Sequence, residues 1–106
     1  MGQSDRLALH LTPKAQADLE DIWLYTRDTW GEDQADNYLD SIQHVFDALC
    51  DMPELGRLYA EFQLAVRIHP SGRHVIIYLP EANALNIIRV LGARQNWRAM
   101  LDALDR

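Results

Sequence analysis

Alternation opens the chain. Leu7, Leu9 and Leu11 fall on one side of an extended segment, with Ala8 and His10 on the other, the period of a short strand. Thr12 and Pro13 then mark a helix start: a hydroxyl suited to capping, followed by a proline in the first turn, where its missing N–H costs nothing. Ala15, Leu19, Ile22, Trp23, Thr26 and Trp30 recur at helical spacing and predict a helix from Pro13 to about Trp30, ended by Gly31. A second stripe of Ala35, Leu39, Ile42, Phe46 and Leu49, widened by Tyr38 and Val45, predicts a second helix that Pro53 stops near Asp51. Glu32 and Asp33 sit in its first turn, at the positive end of the helix dipole. The pair reads as an antiparallel helical hairpin with a tight turn at Gly31, its solvent face carrying Asp18, Asp21, Asp36, Asp40 and Asp47.

The second half changes period. "MPELGRLYAEF" reads as a loop, and three strands are predicted after it. "LAVRI" alternates, "RHVIIYL" is apolar on both faces and reads as a central strand, and "ALNIIRVL" carries Arg89 in its middle. Pro70-Ser71-Gly72 and Glu81-Ala82-Asn83 supply turns for an antiparallel meander. Asn96 caps a short last helix whose apolar face is Trp97, Met100, Leu101 and Leu104. The order β-α-α-β-β-β-α gives a single α+β domain over residues 1–106: an N-terminal strand, a helical hairpin packed on an antiparallel sheet, and a short C-terminal helix.

Composition adds little until charge is divided along the chain. The 106 residues are 48% hydrophobic and 25% charged, ordinary for one globular domain. No apolar run approaches the ~20 residues of a membrane span. The N-terminus lacks a signal-peptide pattern, so a cytoplasmic location is expected. The lone Cys50 sits in an apolar-periodic stretch and reads as a buried, inert thiol. The formal net charge is −6. Residues 1–55 hold three bases against twelve acids, a net of −9, whereas residues 56–106 hold seven bases against four acids, a net of +3. All seven of those bases are arginine, whose planar fork suits carboxylates and phosphates. An acidic whole argues against tight nonspecific DNA binding, which needs many phosphate contacts.

Candidate chemistry is sparse. Histidines 10, 44, 69 and 74 show no metal-ligand spacing, glycines 31, 56, 72 and 92 are isolated, and no Ser/His/Asp arrangement stands out, so no metal or cofactor is expected. The stretch "GRHVIIYLP" poses the main question, because a core strand begins there with an arginine and a histidine. A nuclease site, a nucleic-acid surface and a socket for a protein partner all fit those side chains.

The segments "LTPKAQADLEDIWLYTRDTWGEDQADNYLDSI", "MPELGR", "VRIHPSGRHVIIY" and "IIRVLGARQNW", in that order, resemble the ParE branch of the RelE/ParE toxin superfamily over roughly residues 7–100. The resemblance implies a non-enzymatic toxin of a type II toxin–antitoxin pair that binds DNA gyrase and is neutralised by a ParD-like antitoxin. The sister RelE branch cuts mRNA on the ribosome. Its pattern of two lysines, two arginines and a tyrosine falls here on Ala65, Arg67, Val75, Arg94 and Met100. Ala, Val and Met move no proton and hold no phosphate. A one-residue slip would bring Arg73 or His74 into the pattern, and Glu61 with His74 is a further variant. The mRNA endonuclease therefore stands as the alternative, beside a non-toxic interaction domain.

The basic residues Arg57, Arg67, His69, Arg73, His74 and Arg89 are expected to form an antitoxin-binding groove on the sheet, where arginine forks meet the carboxylates of an acidic segment. The alternative is that Arg73 and His74 pair with acids of the helical hairpin. The C-terminal region is implicated in toxicity in ParE-like proteins, which points to Arg94, Trp97 and Arg98 as the target surface. The bland alternative there is that the Trp97 stripe covers the sheet.

Overall fold

The structure, a computed structural model, describes residues 6–61 and 65–104, with side chains to residue 102. Strand β1 (Ala8–Leu11) leads into helix α1 (Pro13–Trp30) and helix α2 (Glu32–Asp51). A single 3₁₀ turn (Pro53–Leu55) follows, then β2 (Arg57–Tyr59), β3 (Val66–Ser71), β4 (His74–Pro80), β5 (Ala84–Gly92) and helix α3 (Trp97–Leu104). Leu64, which opens the expected "LAVRI" strand, and the side chain of Leu104 lie outside the described residues.

The local chemistry acts where the pattern placed it. Thr12 caps α1 by accepting the Ala15 amide at 3.0 Å, and its own hydroxyl donates to the Ile88 carbonyl at 2.8 Å, which fastens the helix start to the sheet. Gly31, at φ 99°, joins the two helices without a further linker residue. The Trp23 indole N–H donates to Asp36 at 2.9 Å and links the helices side by side.

The sheet has five strands in the order β1-β5-β4-β3-β2. Strands β3 to β5 form the expected antiparallel meander and β2 extends it, whereas β1 joins β5 in parallel, so the sheet is mixed. The parallel pairing follows from the hairpin: β1 and β5 are far apart in sequence, and two helices carry the chain across the face between β1 and the meander. The segment read as a loop supplies β2, a three-residue edge strand paired with β3. A bulge between Ile77 and Tyr78 of β4 leaves Ile88 of β5 out of register.

Strand β4 is covered on both faces. Ile76 and Tyr78 meet Ile22, Ile42, Phe46 and Leu49 of the hairpin together with Leu85, Ile87 and Val90 of β5. Val75 and Ile77 meet Val66, Ile68, Leu91 and Leu101, with Trp97 and Met100 of α3 packed against them. Each buried aliphatic of this kind contributes about 1.5–3 kcal/mol. Cys50 is buried in the hairpin core, and burial pushes its thiol above the ordinary value. Among the described residues no helix is long and apolar enough to cross a membrane, and no group of three or more potential ligands could hold a metal ion.

Tyr78 adds a polar tie to the core. Its hydroxyl accepts the Gly56 amide at 2.8 Å and donates to the Pro53 carbonyl at 2.6 Å, pinning the turn after α2 to the central strand. Tyr78→Phe keeps the packing and strips both bonds. The expected cost is about 1–3 kcal/mol, read from urea unfolding. A loss within error would mean that the turn is held by packing alone.

Candidate functional site

The turn between β3 and β4 is where "GRH" lands. Gly72 adopts φ 59°, and a Cβ there would lie 2.8 Å from the Tyr38 hydroxyl, so both the backbone and the space require glycine. That hydroxyl is the hub of the turn. It accepts the Arg73 amide at 3.0 Å, lies 3.3 Å from the Ser71 carbonyl, and shares a 2.6 Å hydrogen bond with His74 Nδ1. The two rings stand 5.5 Å apart. Helix α2 thus holds the turn that presents Arg73. A second brace comes from β5, whose following residue Ala93 donates its amide to the Arg73 carbonyl at 2.8 Å.

A cleft opens beside this turn. One part, about 720 Å³, is lined by Tyr25, Gly72, Arg73, His74, Gly92, Ala93, Arg94 and Gln95. The adjoining part, about 420 Å³, adds Thr26, Trp30, Gln34 and Tyr38. Tyr25, Gly72, Arg73 and His74 line both, so the two adjoin and share a wall. Gln95 closes its far end by accepting the Gly92 amide at 2.7 Å. His74 is half-buried, and burial lowers its pKa from the ordinary 6.5, an effect that Asp18 partly opposes.

The remaining expected site residues are dispersed. Arg67 points to the hairpin side, where it donates to the Gly56 carbonyl at 2.7 Å. His69 Nδ1 lies 2.7 Å from the Pro70 carbonyl. Arg89 forms a two-pronged ion pair with Asp18 of α1 at 2.7 and 2.8 Å, its side chain only 16% exposed, and the carboxylate also accepts the Val90 amide at 3.0 Å. Asp18 raises the Arg89 pKa further.

On the opposite face of the sheet, Arg57, Trp97 and Arg98 gather around Tyr59. The Arg57 and Arg98 guanidiniums lie 5.4 and 5.1 Å from its ring centre, and Arg98 lies 4.7 Å from that of Trp97. Trp97 meets Tyr59 edge-on at 5.6 Å, and Arg98 pairs with Glu61 at 2.7 Å. Of the expected groove, then, Arg73 and His74 share the cleft; they are joined there by Arg94, while Arg57 sits with Trp97 and Arg98.

Sequence reasoning missed Tyr25, Tyr38 and Trp30 as site residues. Tyr38 and Trp30 were absorbed into apolar stripes, yet Trp30 is 60% exposed. Tyr25 had a readable signal: an aromatic on the polar face of α1, 66% exposed.

A family profile described as the ParE toxin of the type II toxin–antitoxin system parDE matches residues 9–97. Toxin ParE1 of Mycobacterium tuberculosis is 38% identical over 87 residues, covering 81% of this chain and 89% of the relative. Toxin ParE1 of Caulobacter vibrioides is 35% identical over 91 residues, covering 86% and 94%. A solved chromosomal ParDE toxin–antitoxin system from P. aeruginosa shares the fold, with a TM-score of 0.71 at 20% identity over 84% of this chain and 98% of that one.

The lowered pKa of His74 makes a testable statement about stability. Between 6.5 and the folded-state value, the unfolded chain binds a proton that the folded chain refuses. The contribution is therefore complete above 6.5 and is lost as pH falls through that window. Urea unfolding at about pH 7.5 and about pH 5.5 should show a larger loss of stability for the native protein than for His74→Phe. Equal losses would show that His74 titrates alike in both states.

Proposed function

The chain belongs to the ParE toxin family of type II toxin–antitoxin systems, and on that premise we propose that it acts by binding: it poisons DNA gyrase, carries out no bond cleavage of its own, and is neutralised by a ParD-like antitoxin. The observation that carries this reading is that two proton-transfer groups of the cleft, His74 Nδ1 and the Tyr38 phenol, are tied up within the fold. The His74 imidazole and the Tyr38 phenol are hydrogen-bonded to each other, and the phenol also serves the backbone of the turn. A general base and acid for RNA cleavage must each reach the substrate. The positions where the RelE pattern falls point the same way. Val75 is buried against α3, Met100 packs in the same cluster, and the Arg67 guanidinium is held at the Gly56 carbonyl. Only Arg94 of that set opens onto the cleft.

Antitoxin recognition is assigned to the cleft and its rim, where Arg73 and His74 adjoin exposed aromatic side chains of α1. Contact with gyrase is assigned to the C-terminal region, through Arg94 and the Trp97–Arg98 pair.

Purified protein added to gyrase and supercoiled plasmid separates the readings. The expected outcome is inhibited supercoiling, with linear DNA accumulating once the enzyme is denatured. The same preparation added to ribosomes translating a defined mRNA should leave the message intact. Message cleavage with gyrase unaffected would establish the endonuclease instead, and an inert protein in both assays would leave an interaction domain.

A further inference from the structure

We propose that the cleft between Arg73 and Arg94 is a carboxylate-binding pocket for one acidic residue of a partner peptide, whose neighbouring apolar side chain seats against Tyr25 and Trp30. The peptide is identified as the acidic segment of the antitoxin, so the inference rests on the reading above and names which chemistry of that partner is recognised, and where.

Most of the described arginines are already paired within the fold. Acids outnumber bases sixteen to ten, so carboxylates are plentiful. Arg6 pairs with Asp47 and Asp51, Arg27 with Asp28, Arg89 with Asp18 and Arg98 with Glu61, while Arg67 is held by the Gly56 carbonyl. Arg73 and Arg94 have no side-chain ion pair or hydrogen bond among the described residues, and both line the same cavity. Among the described residues no Asp or Glu lines either part of the cleft. The turn that carries Arg73 is held on two sides, by the Tyr38 hydroxyl and by the Ala93 amide. Two cations of one sign are thus placed around one cavity by a braced backbone, and their repulsion is relieved when an anion enters between them. Planar guanidinium forks suit a carboxylate by paired hydrogen bonds.

The other arm of the cleft gives the ligand its second half. Tyr25 and Trp30 are 66% and 60% exposed, and Tyr38 adds a third aromatic wall. Large exposed aromatics beside a charged pocket are the usual anchors of a protein contact. The occupant must therefore be amphipathic, with an acidic group at the arginine end and an apolar one at the aromatic end.

Charge selects a peptide over a nucleic acid. A nucleic acid presents a row of phosphates and is held by a matching row of cations, but this surface offers two unpaired arginines on a chain of net charge −6. A segment carrying a few carboxylates needs no more than that pair. An occupant here also covers Arg94, which the resemblance places on the target surface, so the antitoxin would block the target by standing on one of its contact residues.

The test is calorimetry of the intact toxin with the ParD-like antitoxin encoded in the same operon. Arg94→Gln and Tyr25→Ala alter exposed side chains that bond to no other side chain or backbone group among the described residues, so both variants keep the fold, as circular dichroism will confirm. Each is expected to weaken binding about tenfold or more. Arg73→Gln should do the same, and the Arg73→Gln/Arg94→Gln pair should lose less than the product of the single effects, because both hold one carboxylate. Native affinity in all of these variants, with the unmodified toxin binding normally, would overturn the pocket and leave the antitoxin reading intact. Failure of the unmodified toxin to bind the antitoxin would overturn both. Arginine-dependent binding of an oligouridylate in place of the antitoxin would overturn the choice of peptide.

Discussion

Strand β4 has apolar side chains on both faces, and a strand of that kind must be roofed twice. Ile76 and Tyr78 require cover from one side, Val75 and Ile77 from the other. The helical hairpin meets the first demand and α3 the second, which accounts for three helices around one sheet. Because β4 lies at the centre of the strand order, its N-terminal end emerges where the hairpin, the β3–β4 turn and the exit of β5 converge. An arginine and a histidine at the start of a core strand are therefore not out of place. They stand on the lip of the cleft, just before the strand goes under cover.

Two tyrosine hydroxyls convert this layered packing into a defined surface. Tyr78 reaches from the core to the turn after α2, and Tyr38 reaches from α2 to the turn before β4. Each meets main-chain groups that packing alone would leave without partners, and each makes a loop part of the rigid frame. Among the described residues no buried side-chain nitrogen or oxygen lacks a hydrogen-bond partner. The cleft is in this sense a consequence of the fold: the phenol that shapes it is the same group that secures the turn.

The helices were legible because each carries a long stripe at helical spacing, and α1 and α2 end where Gly31 and Pro53 put them. The centre of the sheet was legible because "HVIIYL" shows no polar face. Strand β2 was not, since three residues in a Pro- and Gly-flanked segment carry too little alternation to distinguish a strand from a loop. The parallel partnership of β1 and β5 leaves no local mark either, because pairing is decided by where the hairpin returns the chain. Of the site, the excess of arginine in the second half was plain, but its division was not. Asp18 lies 71 residues from Arg89, and Arg67 is held by a backbone carbonyl that no side-chain pattern reports. Tyr38 read as one more apolar position, because spacing registers the ring and says nothing of the hydroxyl.

The fate of the charges that folding leaves over decides what this surface offers. The acidic half of the chain is not simply a solubilising coat: Asp18, Asp36, Asp47 and Asp51 are drawn into internal bonds, and most described arginines of both halves are matched to them or to neighbouring groups. Among the described residues no carboxylate lines the cleft, where Arg73 and Arg94 stand exposed beside exposed aromatics. His74 Nδ1 and the Tyr38 hydroxyl are bonded to each other, and the hydroxyl also accepts the Arg73 amide, so both side chains belong to the frame of the cleft. Guanidinium forks beside exposed aromatic rings are the side chains that suit contact with carboxylates and apolar groups.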